Sequence, residues 1–269
     1  MRQFISAFLP DKKGILEISG KDYRYLRQVL RVKPGDMMCV RLPDETLVNT
    51  TVCEVNEEKR RVILQLCDGG GSITRGVQAD SIQENAFRTE FTLFQFIPKP
   101  VKMELILRQA VECGVKYIVP VIGEFTQSSS VEALRGAKKE RFQRIIREAR
   151  QQSGSPVETE IAEPVTLEKA LCFWKEESAA LSEEETLSAV LWERSEETKS
   201  VKQLFSECKD GGKIKSCCVA VGSEGGISPS EVETMKGAGF IPVHFATNVL
   251  RCETAALYGI ASLQSGILF

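Results

Sequence analysis

Residues 220–231 read AVGSEGGISPSE, and residues 245–264 read FATNVLRCETAALYGIASLQ. Ala220 and Val221 end a short apolar run, Cys217–Val221, which predicts a buried strand. Gly222, Ser223, Glu224, Gly225 and Gly226 follow with almost no side-chain bulk. Ser228 and Glu231 have the spacing of a capping box, and Pro229 falls at the first helical position. The order is therefore strand, glycine loop, helix. In open α/β sheets ligands bind outside the carboxyl ends of the strands. A second predicted strand, Phe240–Phe245, enters a second tight loop, and Arg251, Glu253 and Thr254 stand at the start of the last helix. Two such loops, close in sequence, suggest one small-molecule site with polar groups converging on it.

Working outward, strands and helices alternate from Thr89 onward. The strands are expected at Phe91–Ile97, Tyr117–Val121, Val157–Ile161, Ala189–Trp192, Ser216–Val221 and Ile241–Phe245. Helices are expected at Val101–Cys113, Lys138–Gln152, Leu167–Lys175, Thr198–Cys208, Ser228–Lys236 and Leu250–Gln264. That alternation predicts an α/β domain with a parallel sheet covered by helices. Residues 176–187, EESAALSEEETL, read as an exposed acidic insertion. Residues 68–87 are rich in Gly, Ser, Asn and Gln without an apolar period, and predict a linker or long loop. The first 66 residues hold short β-prone segments (Gln3–Phe8, Gly14–Ile18, Met37–Leu42, Leu47–Val55, Arg61–Leu66) separated by turn residues, the pattern of a small barrel. Among them Lys21–Val32 predicts a helix with Tyr25, Leu26, Val29 and Leu30 on its apolar face. The expected division is 1–68, a linker at 69–88, and 89–269.

The 269 residues carry a formal net charge of −2, which gives no global attraction to nucleic acid. The distribution is uneven. Residues 21–41 hold six basic groups (Lys21, Arg24, Arg27, Arg31, Lys33, Arg41) against two acidic ones. Residues 133–150 hold seven (Arg135, Lys138, Lys139, Arg141, Arg144, Arg147, Arg150) against Glu140 and Glu148. Residues 163–209 hold eleven acids and six bases. One basic run fits a solvated helix face as well as a binding surface. Two of them, with the acids elsewhere, favour a polyanionic partner. Nine cysteines without a CxxC pair, and a single histidine, exclude zinc-finger spacing. Reduced, mostly buried thiols in a cytoplasmic protein are expected, with no metal and no membrane span.

The loop chemistry narrows the ligand. GSEGG is neither GxxxxGK[ST] nor GxGxxG, which disfavours a P-loop NTPase and an ordinary dinucleotide fold. On its own it fits a tight turn as well as a ligand cradle. Glu253 suits a helix N-terminus either as a cap or as a site residue. Arg251 gains nothing from the helix dipole there, so a ligand contact is the better reading. Leu191, Trp192 and Glu193 end another strand of the same sheet, where Trp192 either stacks on a flat ring or fills the core. His244 is either a general base or, as is commoner beside a strand, structural.

Taken together, five segments resemble the RsmE family of 16S ribosomal RNA methyltransferases, of the SPOUT class. VGSEGGISPSE resembles the family's G-P-E-G-G-[FI]-[ST]-x-x-E loop with Ser223 in place of proline, and VLRCETAA resembles its I-L-R-x-E-T-A block. YLRQVLRVKPGD (Tyr25–Asp36) resembles the L-x-x-V-L-R-x-x-x-G-D element. MELILRQAVECGVKYIVP (Met103–Pro120) and IREARQQSG (Ile146–Gly154) resemble the central segments. The resemblance implies an S-adenosylmethionine-dependent enzyme that methylates N3 of a uridine in ribosomal RNA of the small subunit. It implies a PUA-like N-terminal β-barrel that helps hold RNA, a trefoil-knotted C-terminal α/β domain with helices on both faces of the sheet, and a homodimer. The cofactor-binding residues implied are Leu191, Trp192, Glu193, Val221, Gly222, Ser223, Glu224, Gly225, Gly226, Phe245, Ala246, Asn248, Val249, Leu250 and Arg251. Arg251 is the expected charge-stabilising catalytic group, with Glu253 and Thr254 as its orienting or substrate-binding partners. Arg24, Arg27, Arg31, Lys33 and Lys99 are the expected RNA contacts. The chain departs from the family pattern at Gln109, Phe125 and Ser155, where basic residues are usual, and at Phe245, Ala246 and Asn248 in the third cofactor loop. Those lost charges keep two other readings open: a non-catalytic RNA-binding or ribosome-assembly factor that retains the pocket, and a methyltransferase acting on another RNA.

Overall fold

A computed structural model of the chain describes residues 3–67, 89–136, 139–193, 198–207 and 214–268. The expected linker at 69–88 lies outside the described residues. The chain divides into two compact units, Met1–Ala79 with Gln151–Gly154, and Asp80–Arg150 with Ser155–Phe269.

In the first unit β1 (Gln3–Ile5), β2 (Ile15–Ser19), β3 (Met37–Arg41), β4 (Leu47–Asn56) and β5 (Arg61–Leu66) form one sheet in the order β1-β3-β4-β5-β2. The pairing is antiparallel except between β1 and β3. Alternation along β2 puts Leu16 and Ile18 inward, where they pack with Phe4, Leu26, Val40, Val52, Val62 and Leu64. Between β2 and β3 the chain makes one α-helical turn, α1 (Gly20–Arg24), which widens into a π-helical stretch at Tyr25–Leu30. Arg31 ends it in the left-handed region at φ 56°. The wide turn changes which face is apolar. Tyr23 and Leu26 are buried, whereas Val29, expected inside, is 57% exposed.

The second unit is an eight-stranded sheet whose ladders are all parallel. Its strands are β6 (Glu90–Phe96), β7 (Val115–Ile122), β8 (Glu160–Ile161), β9 (Val165–Thr166), β10 (Thr186–Leu191), β11 (Lys199–Ser200), β12 (Ser216–Val221) and β13 (Ile241–His244). They run in the order β11-β13-β10-β12-β6-β7-β8, with β9 also on β7. Helices α2 (Pro100–Glu112), α3 (Ser128–Arg135), α4 (Lys139–Ser153), α5 (Leu167–Glu177), α6 (Val201–Glu207), α7 (Pro229–Gly237) and α8 (Cys252–Leu268) connect them. Successive side chains of a strand point to opposite faces, and here both faces are covered. On β12, Cys217, Val219 and Val221 face a core built from α2, α4 and α8, while Cys218 and Ala220 face one built from α5 and α7. All six residues of β12 are buried, as a strand covered on both faces requires.

Several expectations change in detail. The strand expected over Val157–Ile161 forms only at Glu160–Ile161. The acidic insertion is not wholly exposed, because Thr186 and Leu187 open β10 and Leu187 is buried. Helix α3 was not read from the sequence. Three of the basic residues are absorbed by the fold. Arg41 is buried and donates to Gln3 Oε1 (2.9 Å) and the Glu45 carbonyl (2.9 Å), Arg27 pairs with Glu57 (2.6 Å), and buried Arg150 donates to the Pro156 carbonyl (3.0 Å). The eight described cysteines are free thiols. Among the described residues no helix is long and apolar enough to cross a membrane, and no group of three or more His, Cys, Asp or Glu is placed to hold a metal ion.

Candidate active site

Strands β13, β10 and β12 are adjacent and parallel, so their carboxyl ends open on one edge of the sheet. The three loops that leave them, at 191–193, 222–226 and 245–251, wall a cavity of about 400 Å³. Of the residues expected to bind cofactor, Leu191, Trp192, Glu193, Val221, Gly222, Ser223, Glu224, Gly225, Gly226, Phe245, Asn248, Val249 and Leu250 line it. Ala246 and Arg251 stand outside its lining, which instead takes in Ile227, Val243, Thr247, Cys252 and Ala255. Trp192 is 6% exposed and packed in the core, as one of its two sequence readings has it; it also lines the cavity, and its main-chain N–H donates to the Val243 carbonyl (2.9 Å).

The 222–226 loop is fixed from several directions. Gln95, fully buried on β6, donates from Nε2 to the carbonyls of Phe96 (2.9 Å), Val221 (3.2 Å) and Gly222 (3.1 Å). Gly226 N–H donates to the Ser223 carbonyl (3.0 Å), and Gly225 N–H to Ser223 Oγ (3.3 Å). The serine that replaces the family's proline thus closes its own turn through its side chain. A Cβ on Gly222 would lie 2.7 Å from the Gly226 carbonyl carbon, and Gly226 itself has φ +80°, so both positions call for glycine. The predicted capping box is present: Glu231 N–H donates to Ser228 Oγ (3.3 Å) and Ser228 N–H to Glu231 Oε2 (2.8 Å). The other oxygen of Glu231 accepts from the Glu124 N–H (2.8 Å), tying the 123–127 loop to the same helix start.

Lys102 supplies a link that the sequence reading missed. Its ammonium lies 3.4 Å from Glu224 and 3.4 Å from Glu253, so it joins the glycine loop to the start of α8. Burial lowers its proton affinity, but Cys252, Glu224 and Glu253 around it outweigh that and raise its pKa above the ordinary lysine value. Burial also opposes ionisation of Glu253. Its own main-chain N–H, Cys252 and Lys102 prevail and hold it below the usual carboxylate range. Cys252, buried and bonded to Glu253 (3.3 Å), has its thiol pushed up to about 12, first by burial and then by that hydrogen bond. A lysine one turn into a helix carries no sequence signal of such a role.

The expected catalytic residues separate into two groups. Glu253 is half-buried in this ionic cluster, whereas Arg251 and Thr254 are exposed. The Arg251 carbonyl accepts from Ala255 N–H (2.7 Å) at the start of α8, and Arg251 does not line the cavity. His244 Nδ1 is bonded to Thr198 Oγ1 (2.7 Å) and does not line the cavity, which favours its structural reading. Of the expected RNA contacts, Arg24, Arg31, Lys33 and Lys99 are exposed. Arg27 is held by Glu57 and by the Val32 carbonyl (3.0 Å).

A family model described as RNA methyltransferase domain matches residues 85–264, the part of the chain that holds the cavity. The chain belongs to the RNA methyltransferase domain family. Among its curated relatives are ribosomal RNA small subunit methyltransferase E of Aquifex aeolicus, 27% identical over 80% of this chain and 80% of that one, and methyltransferase E 2 of Borreliella burgdorferi, 27% identical over 93% and 91%. These are RsmE proteins, the family that the five sequence segments resemble. A solved structure with the same fold is the methyltransferase E of Neisseria gonorrhoeae bound to S-adenosyl methionine (TM-score 0.72, 22% identity, 98% of this chain and 97% of that one). This RNA methyltransferase therefore has its α/β fold in common with a protein crystallised with that cofactor.

Proposed function

We propose that this RNA methyltransferase uses S-adenosylmethionine to methylate N3 of a uridine in 16S ribosomal RNA of the small subunit. The observation that carries the reading is the cavity of about 400 Å³ at the carboxyl ends of three adjacent parallel strands. Its size lies within the ordinary range for small-molecule sites. The chemistry of its walls fits the cofactor: apolar Leu191, Trp192, Val243 and Leu250 suit an adenine ring, and glycine-rich main chain at 222–226 suits close polar contacts. Bound there, the cofactor supplies an electrophilic methyl group. The protein's own tasks are to position the acceptor and to balance charge. Uracil N3 is a poor nucleophile until it loses its proton. Arg251, exposed beside the cavity, is assigned to stabilise the negative charge that then develops on a uracil carbonyl oxygen. Glu253, held ionised by its own main-chain N–H, Cys252 and Lys102, is assigned to orient it, with Thr254 next to it on α8. Water takes the N3 proton in this scheme. The target uridine lies in a single-stranded or splayed region, where its base is reachable.

The same reading includes a PUA-like first unit that contributes Arg24, Arg31 and Lys33 to RNA binding. It also includes a trefoil knot around the β12–β13 loops and a cytoplasmic homodimer. The competing reading, a non-catalytic RNA-binding factor that keeps the pocket, is favoured by Phe125 at a position where the family pattern has arginine. Calorimetric titration with S-adenosylhomocysteine, followed by methyl transfer to 16S ribosomal RNA and to small-subunit particles, decides between them. Binding at one site per chain with N3-methyluridine formed is the expected result. Binding without transfer to any RNA selects the non-catalytic factor, and a folded protein that neither binds nor transfers overturns the methyltransferase reading.

A further inference from the structure

We propose that a second cavity beside the glycine loop is the acceptor-base subsite, and that Phe125 is the surface on which the target base stacks. This rests on the methyltransferase reading and adds to it the residue that receives the substrate. The cavity measures about 270 Å³, and Glu224 and Gly225 line both it and the larger cavity. The two cavities are therefore neighbours at the Glu224–Gly225 segment, as the sites of two molecules that exchange a group must be.

Its remaining walls have the chemistry of a nucleotide site. Phe125 follows β7 and is 46% exposed, and its ring packs on no other aromatic ring among the described residues. Gly225 fixes where it stands, because a Cβ there would lie 2.7 Å from the Cβ of Phe125. Gln127, exposed at the start of α3, offers an amide that can both donate to and accept from a base edge. Lys99, exposed at the start of α2, offers a cation for a phosphate while its main-chain N–H holds the Glu224 carboxylate (3.2 Å). An aromatic face, an amide and an ammonium around one small cavity match the ring, edge and phosphate of a single unstacked nucleotide.

The test compares Phe125→Tyr, Phe125→Leu and Phe125→Ala for methyl transfer to 16S ribosomal RNA, with S-adenosylhomocysteine affinity and thermal unfolding measured on each. Tyr keeps kcat/KM within about threefold. Ala and Leu both lower it by about tenfold to a hundredfold through KM for RNA, the range one base–aromatic stack supports, with cofactor affinity unchanged. A Leu variant as active as wild type would show that only apolar bulk is needed, and overturns the proposal. Loss of cofactor affinity with RNA KM unchanged overturns it too. Ultraviolet cross-linking of the wild-type protein to 16S ribosomal RNA gives a readout that needs no turnover. A uridine adduct on Phe125 supports the subsite even for a protein that transfers no methyl group, and adducts only on other residues count against it.

Discussion

The 222–226 loop and the 245–251 loop wall the same cavity, but they are held to very different degrees. In the first, Ser223 is buried, Gln95 fixes the carbonyls at its start, Ser223 closes its turn, and Glu224 is clipped by the Lys99 N–H and by Lys102. In the second, Phe245 packs edge-on against Tyr258 with ring centres 4.7 Å apart, and then residues 246–249 are all exposed. Thr247 bonds only to its near neighbours in sequence among the described residues, from its N–H to the Phe245 carbonyl (2.8 Å) and from its Oγ1 to the Asn248 carbonyl (3.1 Å). The difference locates the cost of binding. A ligand finds the first loop already in shape and must order the second, at roughly 0.5–1.5 kcal/mol for each side chain it immobilises. Shape selection thus belongs to the glycine loop, and closure to the exposed one.

The largest effect is expected at the end of the exposed loop. Arg251→Ala should lower kcat by about a hundredfold to a thousandfold, as loss of one charge-stabilising donor does. S-adenosylhomocysteine affinity should stay within about twofold, because the guanidinium does not line the cavity. Single-turnover methyl transfer beside calorimetry measures both. Equal losses in the two would mean that Arg251 is drawn into the wall when the loop closes, and the comparison would need redrawing.

Next comes the fixed loop. Gly222→Ala places a methyl group 2.7 Å from the Gly226 carbonyl carbon, and that neighbour is main chain that cannot swing aside. Overpacking of this kind costs about 1–3 kcal/mol. S-adenosylhomocysteine affinity should fall by about tenfold to a hundredfold, with a lowered unfolding temperature. Unchanged affinity would show that the loop's shape does not select the ligand.

The ionic cluster between the loops predicts a pH dependence. The Cys252 thiol has an ordinary pKa of 9.0 and is pushed up to about 12 in the fold. Between those values the unfolded chain gives up the proton and the folded one keeps it, so stability falls as pH rises. Lys102, raised above 10.5, adds stability that is present below that value and is lost above its folded pKa. Glu253, lowered from 4.5, adds stability that is present above that value and is lost as pH falls through the depressed one. Denaturant unfolding at pH 7, 9 and 10.5 should show a decline that Cys252→Ala makes shallower, the thiols of Cys218, Cys113 and Cys39, also raised by burial, supplying the rest. An identical decline in the variant would place its cause outside this cluster.

What was legible in the sequence was local. Ser216–Val221 was read with the bounds it has, because six apolar or small residues in a row admit little but a buried strand. The Ser228–Glu231 capping box was equally plain, since both partners lie within one turn. What stayed hidden was long-range pairing. Nothing near Arg27 in sequence announces Glu57, nothing near Lys102 announces both Glu224 and Glu253, and nothing near His244 announces Thr198. Val29 was misplaced because the apolar pattern was read with an α-helical period, and the chain there widens into a π turn. Phe125 read only as a lost arginine. Its place beside Gly225 depends on two loops a hundred residues apart in sequence meeting in space.

The smallest effect is expected at Asn248. Its side chain is exposed on the loosely held loop, and the hydrogen bond it accepts from Thr247 goes to its main-chain carbonyl, which truncation leaves in place. Asn248→Ala should therefore change S-adenosylhomocysteine affinity by no more than about twofold to threefold, within the roughly 0.5 kcal/mol typical of exposed positions. The experiment is informative because Asn248 lines the same cavity as Gly222. If proximity to the ligand alone set the energetics, the two substitutions would cost alike. If the degree of prior order sets them, Gly222→Ala should exceed Asn248→Ala by about threefold to fiftyfold. A loss of tenfold at Asn248 would show that the exposed loop becomes as tightly organised as the glycine loop once ligand is bound, and that the contrast between them belongs to the free protein only.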